Sequence, residues 1–77
     1  MRAERLLEVL VEDFWGERRY WDRFDCLNSD GRRLLHAATK EILEEEPGLR
    51  RLVYRVRRDP CISSVEKLLE ALRERSG

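Results

Sequence analysis

Residues 49–60 read LRRLVYRVRRDP, and whether they form a helix or a strand decides the fold. Leu49, Leu52, Val53 and Val56 recur at i, i+3, i+4 and i+7, the spacing of one helical face. A strand would align Leu52, Tyr54 and Val56 but would turn Val53 to the other side, among arginines. Helix is therefore the expected form, and Asp59-Pro60 ends it because proline disfavours helical geometry in the residue before it. The same apolar quartet returns as Val65, Leu68, Leu69 and Leu72, opened by SSVE, where Ser63 and Glu66 have the spacing of a capping box. Residues 48–76 thus predict an antiparallel helical hairpin.

Upstream, turn signals at NSDG (28–31) and EPG (46–48) bracket a helix over 29–46. Ser29 is its expected N-cap, and Leu35, Ala38, Ile42 and Leu43 are its inner side. Glu44, Glu45 and Glu46 are unfavourable at a helix C-terminus but favourable ahead of a new helix near Pro47, which argues for a tight helix-to-helix junction. Earlier still, Ala3, Leu7, Leu10, Phe14, Trp21 and Phe24 keep alternating spacings of four and three if Glu17 fills the missing position. A continuous helix over 3–27 would be about 37 Å long. A domain of this size has a radius of gyration of about 11–12 Å, so the chain is expected to break or kink at 15–17, beside Gly16. The sum is an all-α domain over 1–77, a compact bundle of four to five short helices.

Composition narrows the role. Charged and apolar residues each make up 42% of the chain, too much apolar residue for a disordered polyampholyte. At 77 residues only about 60% of the chain's surface is buried on folding, so support from a second copy is expected. The start, MRAERLLEVLVEDFW, carries acids within its apolar run and resembles neither a signal peptide nor a membrane span, which points to a cytoplasmic protein. In that setting Cys26 and Cys61 are expected to be separate small buried thiols.

Catalysis has no constellation to stand on. His36 is the single histidine, neither cysteine stands at a motif spacing from it, and no glycine-rich phosphate loop or zinc motif is present. No enzyme activity, cofactor, metal or small-molecule substrate is expected.

Two binding surfaces compete instead. Opposite the apolar quartet of 49–58 lie Arg50, Arg51, Tyr54, Arg55, Arg57 and Arg58, a set suited to phosphate pairing and base stacking. Residues 47–60 carry five positive charges and one negative (+4), residues 1–30 five positive and eight negative (−3). These arginines are therefore expected to be solvated or paired with Glu66, Glu70 and Glu74 or with Glu44–46. The second surface is the aromatic cluster Phe14, Trp15, Tyr20 and Trp21, of which Trp15 and Tyr20 are expected outermost as a protein interface. The leading expectation is a non-enzymatic regulatory module acting by protein-protein interaction, with itself as a homodimer or with a larger protein. Binding of DNA or RNA through the arginine face is the alternative. Small modules of this kind occur in viruses, phages and compact microbial genomes.

Overall fold

The structure, a computed structural model, describes residues 1–76 and contains four α-helices among them: α1 (Arg2–Trp15), α2 (Ser29–Glu45), α3 (Arg50–Arg58) and α4 (Ile62–Ser76). A 3-10 turn, Pro47–Leu49, leads directly into α3 and makes the tight junction that the acidic run predicts. The Cα radius of gyration is 11.2 Å. Among the described residues, no helix is long and apolar enough to cross a membrane.

One apolar centre joins all four helices. Ala3, Leu7 and Leu10 of α1 meet Leu35, Ala38 and Ile42 of α2, Val53 and Val56 of α3, and Val65, Leu68, Leu69 and Leu72 of α4. Each such large side chain removed from water contributes about 1.5–3 kcal/mol, which is how short helices with modest intrinsic stability are held. Both quartets read from the sequence lie in this centre, with Leu52 only half-buried at its edge. α3 and α4 are consecutive, joined through residues 59–61, and pack on each other. α1 lies against α2 and α4, and its first turn is tied down by Glu41 of α2, whose Oε1 accepts from Ala3 N at 2.8 Å.

Helix boundaries depart from expectation where polar side chains act. α1 does end at Trp15, but no helix follows before Ser29. The turn is built by Asp13, whose carboxylate accepts from Arg19 N at 3.0 Å and Tyr20 N at 2.9 Å while its carbonyl accepts from Arg18 N at 2.8 Å. The heptad spacing across 17–27 is therefore coincidental. The N-cap of α2 is Asn28, not Ser29: its Oδ1 accepts from Gly31 N at 2.9 Å and its Nδ2 donates to Arg19 O at 2.8 Å. Ser29 is already the first helical residue, one position too late to cap, while the Asn28 amide offers an acceptor to the helix and a donor to the loop. At α4, Ser63 lies inside the helix and the Cys61 carbonyl accepts from Ser64 N and Val65 N at 3.0 and 3.1 Å, so the expected capping box does not start it.

Cys26 and Cys61 form a disulfide, which corrects the reading of them as separate buried thiols. Two backbone bonds flank it, Leu27 N to Pro60 O at 2.8 Å and Ile62 N to Asp25 O at 2.9 Å, and both cysteines are partly exposed. These bonds bring the loop to the start of α4, a proximity that a separation of 35 residues does not reveal.

Candidate functional site

The outer side of α3 presents Arg50, Arg51, Arg55 and Arg58 to solvent, with Tyr54 58% exposed in their midst. Arg51, Leu52, Tyr54, Arg55 and Arg58 line an open groove of ≈ 490 Å³. Among the described residues none of the four arginines is in an ion pair. The pairs present are Arg5 with Glu8 and Glu12, Arg18 with Asp25, Arg19 with Glu17, Arg73 with Glu8, and Arg75 with Glu46.

Of the two expected states of the arginine face, solvated or paired with the protein's own glutamates, the structure has the solvated one among the described residues. Glu66 and Glu70 line a groove with Val11, Leu69 and Arg73, between α4 and α1, so they do not address α3. Glu46 is taken by Arg75 at 3.2 Å. Arg55, Arg57 and Arg58 stand in the last turn of α3, where the helix dipole favours positive charge. Neighbours three and four apart on this helix have Cβ atoms about 5–6 Å apart, inside the screening length of about 8 Å at physiological salt, so their fields add.

Arg57 parts from the other five residues of the predicted face. Its Nε donates to Thr39 Oγ1 at 3.1 Å, which turns it from the outer side toward α2. Sequence spacing places Arg57 on the flank of the helix but cannot say which neighbour offers it an acceptor.

The aromatic cluster is split as well. Trp21, expected at an interface, is 5% exposed, and its Nε1 donates to Leu10 O at 2.8 Å; the indole closes the core and is removed from the surface set. Phe14 is half-buried, edge-to-face with Trp21 at 5.1 Å and with Trp15 at 4.9 Å, and the Arg18 guanidinium lies 4.5 Å from its ring centre. Tyr20 is half-buried. Trp15 is 73% exposed, as expected.

Phe24, which the seam placed inward, is 70% exposed. It rides a tight turn in which Asp22 Oδ1 accepts from Phe24 N at 2.8 Å and Cys26 N at 3.1 Å, with Asp25 at φ 62°. The turn is pinned by Arg18, itself at φ 56°, which pairs with Asp25 and donates to Asp22 O at 3.1 Å. Two non-glycine residues in the left-handed region cost of order 1–2 kcal/mol each, and both belong to one ion pair. Beside it, the hydrogen bond that Arg19 Nε donates to Glu17 Oε2 at 2.6 Å raises the Arg19 pKa above its ordinary value. The tight Asp-x-x-Asp turn, Asp22 to Asp25, is the signal that could have turned Phe24 outward.

Among the described residues no group of three or more His, Cys, Asp or Glu is placed to hold a metal ion. No protein-family model, curated protein or solved structure matches this chain.

Proposed function

We propose that this chain is a non-enzymatic binding module whose working surface is the outer side of α3, and that its ligand is a nucleic acid held by its phosphate backbone. The observation that carries the reading is the absence of any ion pair, among the described residues, at Arg50, Arg51, Arg55 and Arg58 beside an exposed Tyr54. Cations without an internal counter-charge gain most from an external polyanion, because binding releases the ligand's condensed ions without breaking pairs in the protein.

Fluorescence-anisotropy titration of DNA and RNA oligonucleotides tests this. Four phosphate contacts predict that affinity falls about 50- to 150-fold between about 50 and about 200 mM salt. Arg51→Glu with Arg55→Glu should abolish binding at micromolar protein. No salt-dependent binding by the unaltered chain, or none lost in that double variant, defeats the proposal.

Self-association is a second reading, favoured by a separate observation: Trp15 and Phe24 are both more than two-thirds exposed. A homodimer through these rings predicts more than one species in sedimentation at tens of micromolar protein, lost in Trp15→Ala. A strict monomer removes it.

A further inference from the structure

The cationic surface does not stop at the outer side of α3. At about 100° per residue, Arg55, Arg51, Arg58, Tyr54, Arg50 and Arg57 succeed one another over an arc of roughly 160°. Arg57, the last of them, borders a groove of ≈ 260 Å³ lined also by Arg32, Leu35, His36 and Pro60. Arg32 and His36 lie one turn apart on the same side of α2, and both are exposed. Arg32 is in no ion pair among the described residues. The position of Arg57 is fixed from beneath by the fully buried Thr39, whose hydroxyl accepts from Arg57 and donates to His36 O at 3.1 Å. Leu35 and Pro60 supply an apolar floor between the basic walls.

We infer that this groove is a second contact for the ligand of α3, an inference that rests on the reading of α3 given above, and that the ligand is a single strand. A phosphate is held between Arg32 and Arg57, one unpaired base lies against Leu35 and Pro60, and another stacks on Tyr54. A duplex satisfies the phosphate half of this arrangement but keeps its base faces stacked inside, leaving Tyr54 and the apolar floor unused. A single strand uses both halves, and stacking on an aromatic ring accepts any base.

The test uses the full chain and labelled oligonucleotides, a thymidine single strand and a mixed-sequence duplex of equal length. Arg32→Ala should weaken the single strand about fivefold at low salt and lower the salt slope by about 0.7. Arg33→Ala, the same charge loss about 100° around α2 and outside the groove, should change affinity less than about twofold. Arg32→Lys, which keeps the charge, should recover most of the affinity, and unchanged thermal midpoints exclude unfolding as the cause. Tyr54→Ala should weaken the single strand more than the duplex. Equal losses for Arg32→Ala and Arg33→Ala overturn the groove. A duplex bound as tightly as the single strand overturns the ligand class, with α3 still the binding face. If the unaltered chain binds neither, the reading of α3 falls as well.

Discussion

Val53, Val56, Val65 and Leu68 are placed by burial alone, on helices whose registers follow from apolar spacing. Between Trp15 and Ser29 the chain is placed by polar atoms: Asp13, Asp22 and Asn28 each accept from backbone N–H groups, and Cys26 adds a covalent tie. Burial is redundant, since many side chains share it. A polar loop is not, since each turn hangs on one acceptor, and it can therefore hold aromatic rings outward against their tendency to collapse. The comparison teaches that the two regions should fail differently.

The largest effect is expected at Trp21, which belongs to both. Trp21→Ala removes a core ring and a buried hydrogen bond and should cost about 3–5 kcal/mol by urea denaturation; a loss under about 1 kcal/mol would mean the loop is not anchored through the core. Next comes the disulfide. Replacing both cysteines by serine frees a loop of separation 35 and should cost roughly 3–4 kcal/mol. Hydrogen exchange would sharpen the comparison here, with Leu27 N–H and Ile62 N–H losing protection before the amides of α3. Simultaneous loss would merge the two regions into one cooperative unit.

Gly31→Ala is smaller. A Cβ there would meet Tyr20 O at 2.6 Å and Leu27 Cδ2 at 2.7 Å, so the loop must withdraw, at a cost of about 1–3 kcal/mol. Smallest of all, Trp15→Ala with Phe24→Ala should leave stability within about 0.5 kcal/mol, because these rings bury little. A larger loss would place them in the core after all.

The same division explains what was legible in the sequence. α2, α3 and α4 were readable because Leu35, Ala38 and Ile42 and the two quartets repeat with a period that only a helix satisfies. The break after Trp15 was readable in position, but its cause, Asp13, acts over six and seven residues and leaves no periodic trace. Phe24 was misplaced because a heptad was extended through a segment where Asp22 and Arg18, not helical spacing, set direction; Trp21, which the same seam turned inward, was misplaced only by grouping it with the surface aromatics. The arginine face was visible as a pattern. That Glu66 and Glu70 line a groove with Val11 of α1 depends on the packing of α4 against α1, which spacing along one helix does not encode.

The Cys26–Cys61 bond also changes the chain's connectivity as a physical object. It closes a ring containing α2 and α3, with α1 and α4 as tails leaving from nearly one point. Pulled by its two ends, the oxidised molecule can unreel only those tails, and a protease cut anywhere between 27 and 60 leaves the pieces joined. Tension carried along the backbone therefore bypasses the arginine-bearing helix, which keeps its place in the ring while its neighbours come apart.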